Sequence, residues 1–303
     1  ELKYNNTPIK LVNRKKFDDF LLKKAAASGT ELIDENQVLK IEERKEKVLI
    51  KSEKRNYQCR YLIAADGANG KISHYLNPDR KKTTSYKGTA VEAEIERNKL
   101  KNDNFEDQIL IDFKHLDDGY AWLFPKQKHL SIGIGSMKFK KINIKEIFYN
   151  YLSELGIEIE DNQYLLQAHP IPVYSEKVKI KRGSRRILIA GDAANLADAF
   201  IGEGIFYALA SGFAAAETVI ECSGDKFLKP QNYRKKLNST ILSELRAAEK
   251  AAGLFYNNQK IVKLILNRRK DLLITFLDAV QGIKSYNELS NLFNFLKNLF
   301  KYK

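Results

Sequence analysis

Residues 187–205, ILIAGDAANLADAFIGEGI, hold a carboxylate and a glycine-rich turn at a spacing that suits a cofactor. The apolar run 187–190 reads as a buried strand that ends at Gly191-Asp192. A carboxylate at such a strand end has to be satisfied, and the hydroxyls of a polyol are suitable donors. Eleven residues after Gly191, the turn Gly202-Glu203-Gly204-Ile205 opens an apolar helix whose free N–H groups and dipole favour negative charge. A reduced flavin develops negative charge at its N1–C2=O edge, and glycines let backbone approach a flat ring that a Cβ would hold off. The same residues also read as an ordinary strand–turn–helix with a glutamate near the helix start. GxGxxG, the usual companion of such a motif, occurs nowhere in the 303 residues; GIGSMK at 133 and GEGIFY at 202 do not match it.

A second group lies in YAWLFPKQKHLSIGIG. Tyr120, Trp122 and Phe124 alternate and so share one face of a strand, an aromatic wall suited to a long apolar chain. Gly133 and Gly135 on the following strand leave room beside that wall, and Lys126, after the Pro125 break, suits a phosphate or the cofactor. A sheet face packed on a helix, with Trp122 in the core, is the alternative. No metal site is expected, because His74, His115, His129 and His169 are scattered and Cys59 and Cys222 form no CxxC. No catalytic residue is assigned; Tyr120 and the two cysteines are candidate proton donors by elimination alone.

The elements that position these groups follow from periodicity. KLVNRKKFDDFLLKKAAASG predicts a short strand, then a helix with Phe17, Phe20, Leu21 and Ala25 on one face and a stop at Gly29. Val38, Ile41, Val48 and Ile50 predict an antiparallel hairpin layer. The continuous run Leu62–Ala65 predicts a buried strand of a parallel sheet, ending at Asp66-Gly67. Between 83 and 180, GTAVEAEIE, NFEDQILIDF, GYAWLFPK and HLSIGIGSMKF predict sheet strands, interrupted by one helix, NIKEIFYNYLSELG. RRILIAGDAAN returns to the buried-strand type, so the first region is discontinuous. GEGIFYALASGFAAAETVIEC is apolar nearly all round and predicts a buried helix. Beyond 230, amphipathic helices are expected, with Ile261, Leu264 and Ile265 on one face and Leu289, Leu292, Phe293, Leu296 and Phe300 on another.

The formal charge is +14, and residues 226–303 carry 16 Lys and Arg against 5 Asp and Glu. A basic tail means an anionic partner or a solvated face. An anionic membrane surface is one candidate partner of residues 226–303, packing over the substrate domain as a helical cap being the equal alternative; nucleic acid is not expected, since no RRM, helix-turn-helix or zinc-finger pattern is present. The two cysteines fit a reducing compartment. No apolar run reaches the roughly 18 residues of a bilayer-spanning helix, and the first residues do not resemble a signal peptide. The expected location is the cytoplasm, peripheral to the membrane.

LIAADGANG resembles the internal Asp-Gly motif of the flavoprotein hydroxylase superfamily, and ILIAGDAAN with GEGI resembles its Gly-Asp motif. KLVNRKKFDDFLLKKAAASG is similar to the stretch of that superfamily in which an arginine and a helix approach FAD. YAWLFPKQKHLSIGIG resembles the Tyr-x-Trp-x-Phe-Pro-Lys and Gly-x-Gly signature of the geranylgeranyl reductases. The resemblance runs in order over about residues 8–225.

The resemblance implies an α/β fold: a Rossmann-like FAD-binding domain in two pieces, 1–80 and 185–225, a β-sheet substrate domain over 81–184, and a helical C-terminal region over 226–303. It implies FAD as cofactor, with Asp192 on the ribityl chain and the backbone of Gly204 and Ile205 at the isoalloxazine, in a turn completed by Gly191, Gly202 and Glu203. Arg14 and the Val38 backbone would approach the FAD from the first helix and the strand after it, with Asp66 and Gly67 shaping the site. Tyr120, Trp122, Phe124, Lys126, Gly133 and Gly135 would line the substrate. The implied activity is saturation of isoprenoid double bonds in a lipid or pigment, with NAD(P)H or ferredoxin as electron donor. A flavin-dependent monooxygenase or halogenase of the same superfamily, or a non-catalytic lipid-binding relative, are the alternatives. Three departures stand out. LADAF lacks the proline that usually precedes the Gly-Glu-Gly turn, as chlorophyll-type members also do; the early cysteine segment of some archaeal members is absent; and the GxGxxG unit that holds the FAD pyrophosphate is expected upstream of Glu1.

Overall fold

The computed structural model describes residues 10–78, 87–100, 108–138, 142–157, 166–222, 227–259, 262 and 270–291. The first helix, α1 (Arg14–Ala27), starts at Asn13, whose side chain accepts from the Lys16 N–H, and none of its residues is buried. The short strand expected before it does not form; residues 10–13 are irregular and pair with no strand among the described residues. Three antiparallel strands follow, β1 (Val38–Glu43), β2 (Val48–Ser52) and β3 (Asn56–Cys59), with Ile41 and Val48 turned inward. β4 (Leu62–Ala64) leads to a short helix, α2 (Lys71–Leu76), which periodicity had not suggested. Its first turn is built by Asp66, whose carboxylate accepts from the Ile72 N–H at 2.8 Å.

The next strands are β5 (Lys87–Glu96), β6 (Leu110–Asp112), β7 (Gly119–Pro125) and β8 (His129–Ser136), then α3 (Ile144–Glu154) and β9 (Gln167–Pro172). They form an antiparallel sheet in the order β6-β7-β8-β5-β9. The part of NFEDQILIDF before residue 108 lies outside the described residues. β9 was not anticipated, because Pro170 and Pro172 argue against an inner strand. It lies at the sheet edge, where a missing N–H costs no ladder bond. Strict alternation sorts the sheet faces: Val91, Ala93, Ile95, Leu123 and Ile132 turn toward α3 and pack with Phe148 and Leu152. The opposite face carries Tyr120, Trp122 and Phe124.

β10 (Ile187–Ile189) pairs in parallel with β4, Leu62, Ile63 and Ala64 lying opposite Ile187, Leu188 and Ile189. The other edge of β10 is closed by an antiparallel bridge between Gly183 and Leu188. Among the described residues no strand pairs with the other edge of β4, and Ile63 there is 37% exposed. The long helix α4 (Ile205–Glu221) covers this pair through Tyr207, Ala214 and Ala215. The expectation of a helix buried all round is corrected here. Phe206, Leu209, Phe213 and Ile220 form an outward stripe, Phe213 being 67% exposed. The apolar pattern reports every face that avoids water, whereas the described residues cover one of them.

α5 (Pro230–Leu237) and α6 (Ser243–Tyr256) are joined through a π-helical turn, and α7 (Lys270–Val280) follows. They build an aromatic cluster in which Phe255, Tyr256, Phe276 and Tyr286 surround Phe200. Leu289 is buried in that cluster. Ile261, Leu264, Ile265, Leu292, Phe293, Leu296 and Phe300 lie outside the described residues. Among the described residues, no helix is long and apolar enough to cross a membrane.

Candidate cofactor and substrate site

β10 ends in a single 3-10 turn, Gly191–Ala194, that breaks out of the sheet. Gly191 has φ +59°, and α4 approaches it closely: an added Cβ would meet the Ala208 Cβ at 3.2 Å. Its N–H donates to the Ser211 hydroxyl of α4 at 2.9 Å. Strand end and helix are therefore locked together, and Asp192 stands half-buried at the junction. A Cβ on Gly204, the residue before α4, would sit 3.4 Å from Asp192 Oδ1. Asp192 and the helix start, separated by twelve residues in sequence, thus share one small region. An acceptor carboxylate beside bare backbone fits the polyol and ring edge of FAD.

Glu203 caps α4: its Oε1 accepts from the Phe206 N–H at 2.9 Å. Burial pushes its carboxyl above the ordinary range, and the nearby Asp198 charge adds to that. Part of the helix-start donor capacity expected for a flavin edge is therefore met within the chain. Asp198, missed from sequence, is 1% exposed, and its carboxylate accepts from the Phe200 and Ile201 N–H groups. Burial raises its carboxyl, opposed by those two N–H bonds and by the Tyr286 hydroxyl. The available signal was a lone carboxylate inside the apolar run LADAF, which is costly unless it is bonded. Asp198, Glu203, Tyr207, Glu244, Gln281 and Tyr286 line part of a cavity of about 540 Å³ between this turn and the C-terminal helices.

On β7, Tyr120, Trp122 and Phe124 do share one face; Trp122 and Phe124 stack with centroids 6.1 Å apart. Two expectations about their neighbours need correction. Gly133 leaves no room for a ligand, because the Trp122 indole lies over it and a Cβ there would collide with the ring. Gly135 sits at the edge of the same indole, 3.5 Å from its Cζ3 by the same measure. Lys126 is not an open cation: its Nζ pairs with Glu94 at 2.9 Å, which holds the Glu94 carboxyl below its usual range. Tyr120 leaves the aromatic wall at its far end and donates to the Ile201 carbonyl, joining the sheet to the Gly202 turn.

The remaining expected residues lie in other settings. Arg14 is exposed and forms a two-pronged pair with Asp18, one turn along α1. Val38 begins β1 and packs half-buried against the core beneath α4. Asp66 spends its carboxylate on α2 and lies against Gly70. Gly67 has φ +77° and open space around its Cα.

The model of the FAD binding domain family matches residues 1–222. The chain belongs to the FAD binding domain family. An uncharacterized protein of Methanosarcina barkeri is 30% identical over 254 residues, 84% of this chain and 63% of its own. The geranylgeranyl diphosphate reductase of a Synechocystis strain is 30% identical over 171 residues, 54% of this chain and 39% of that enzyme. The chain therefore spans less than two thirds of either relative. A geranylgeranyl bacteriochlorophyll reductase-like protein of Thermoplasma acidophilum, known from its crystal structure, shares the fold. Its TM-score is 0.59 at 22% identity, over 95% of this chain and 70% of that one.

Proposed function

We propose that this chain is part of an FAD-dependent reductase that saturates isoprenoid double bonds of a lipid or pigment. The observation that carries the reading is the meeting of three groups: Asp192, the Gly204 helix start, and β7 with its aromatic face, tied to the same turn through Tyr120. The Synechocystis relative, named geranylgeranyl diphosphate reductase, supports the substrate class. Bound FAD, when reduced, supplies hydride for the alkene. The chain's own residues do the rest. Asp192 accepts hydrogen bonds from the ribityl hydroxyls, and Gly191, Gly202, Glu203, Gly204 and Ile205 shape the turn at the ring edge. Trp122 and Phe124 present an apolar surface that keeps water from the polyene. Lys126 and its partner Glu94 stand at the end of that surface, where an anionic headgroup competes for the lysine.

In this reading residues 1–80 and 185–225 belong to the FAD-binding part, 81–184 form the substrate part, and 226–303 form a basic helical region that meets an anionic membrane surface. NAD(P)H or ferredoxin supplies the electrons, and the protein works at the cytoplasmic side of the membrane. The test is anaerobic incubation of the dithionite-reduced protein with FAD and geranylgeranyl diphosphate or a geranylgeranylated lipid. Mass gain of two units per double bond without oxygen supports the reductase. An unchanged lipid, or a product formed only with oxygen, defeats it in favour of a monooxygenase or halogenase.

A further inference from the structure

Six residues from Asp198 to Glu203 close on themselves. The Asp198 N–H donates to the Glu203 carbonyl at 2.8 Å, and the Asp198 carbonyl accepts from the Gly202 N–H at 3.1 Å. Its side chain then takes the N–H groups of Phe200 and, at 3.1 Å, Ile201. The carbonyls of those same two residues are also claimed from outside the loop. The Tyr256 hydroxyl of α6 donates to Phe200 O at 2.6 Å, and the Tyr120 hydroxyl of β7 donates to Ile201 O. Tyr286, beyond α7, packs on the Phe200 ring and lines the same cavity as Asp198, whose carboxyl its hydroxyl lowers against the effect of burial. Both backbone groups of Phe200 and of Ile201 are thus satisfied, and one buried carboxylate serves the two donors.

A carboxylate this deep is a poor choice for filling space, because its desolvation is costly and an apolar residue would pack there at less cost. It is well suited to hold two adjacent N–H groups, since a charge-assisted acceptor is stronger than a neutral one. We infer that Asp198 is the positioning residue of the Gly202-Glu203-Gly204 turn, fixing it against β7 and the C-terminal helices through Tyr120, Tyr256 and Tyr286. The inference rests on the reading of that turn as the flavin contact. It goes beyond it by assigning the turn's geometry to a residue that touches neither cofactor nor substrate, and by making the C-terminal helices a determinant of cofactor placement.

The variants are Asp198→Ala, Asp198→Asn and Tyr286→Phe in the full chain, each titrated with FAD by quenching of flavin fluorescence and by the flavin absorbance bands. Hydrogen exchange over residues 199–205 is followed in parallel without FAD. Asp198→Ala loses both N–H bonds and weakens FAD binding about tenfold or more, with faster exchange at Phe200 and Ile201. Asp198→Asn keeps a side-chain oxygen for the same donors and stays within about threefold of the parent, and Tyr286→Phe falls between them. Equal losses for Asn and Ala, or parental binding and exchange in Asp198→Ala and Tyr286→Phe, overturn the role of Asp198. If the unsubstituted chain binds no FAD while exchange still separates Asn from Ala, the flavin reading is what fails, and the inference about cofactor placement falls with it.

Discussion

The two sheets of this protein are finished to different degrees. The five-stranded sheet has α3 laid over one face, and Phe148 and Leu152 at that contact are fully buried. The parallel pair β4–β10 has α4 over it, yet among the described residues α4 keeps Phe206, Leu209, Phe213 and Ile220 turned to solvent, and no strand pairs with the Ile63 edge of β4. From sequence, α4 is expected to be buried all round, whereas α3 is expected only as a helix that interrupts the strands. The difference is that the partner of α3 lies wholly within the chain, whereas the described residues answer only part of the α4 surface. An apolar residue thus reports a demand for cover, and only the fold says where the cover comes from.

The contrast is open to direct challenge, beginning with the largest effect. Phe148→Ala removes a ring from a closed core and is expected to cost about 3–5 kcal/mol, read from the urea unfolding midpoint. Gly133→Ala tests the opposite face of the same sheet. Its methyl would displace the indole, costing about 1–3 kcal/mol. Because Trp122 is the only tryptophan, its fluorescence should shift as it moves to a wetter position. An unshifted spectrum would mean that the indole does not rest on Gly133.

The parallel pair is probed by pH at its turn. Asp198 and Glu203 both have carboxyls raised by burial, so the folded state holds their protons more tightly than the unfolded chain. The stability they contribute is complete below the ordinary values of 3.8 and 4.5 and is lost as pH rises through the raised ones. Urea midpoints from about pH 4 to about pH 8 should therefore fall for the parent relative to Asp198→Asn. Parallel profiles would show that Asp198 carries no excess proton in the fold. The smallest effect belongs to the outward stripe. Phe213→Lys should change stability by less than about 0.5 kcal/mol and reduce concentration-dependent association seen by light scattering. A loss as large as that of Phe148→Ala would erase the distinction between the two helices.

Much of the fold was legible because side-chain period is a local property. β5, β7 and β8 alternate, α3 has an apolar face and a capping Asn143, and the Leu62 and Ile187 runs are uniformly apolar. β9 and α2 were not legible. Prolines conceal an edge strand, and the cap of α2 comes from Asp66, a residue expected only to shape the cofactor site. The pairing of Asp192 with Gly204 was foreshadowed by type and spacing. The duty of Asp198 was not, because Tyr120, Tyr256 and Tyr286, which hold its loop, lie 78, 58 and 88 residues away in sequence, and no pattern links them. Similarly, Gly133 and Gly135 read as space, when the occupant of that space was the tryptophan already assigned to the wall beside it.

The bridge between Gly183 and Leu188 gives the parallel pair a direction of growth. With that side of β10 closed, a strand joining this sheet enters beside Ile63, and the backbone N–H and C=O of Ile63 are the groups it would engage. If it enters parallel to β4, its carboxyl end falls at the same rim as Ala64 and Ile189, just before Asp66 and Asp192. The sheet is in this sense a one-way template: its open border sets the order in which neighbours line up, and its polarity brings the end of each toward a common rim.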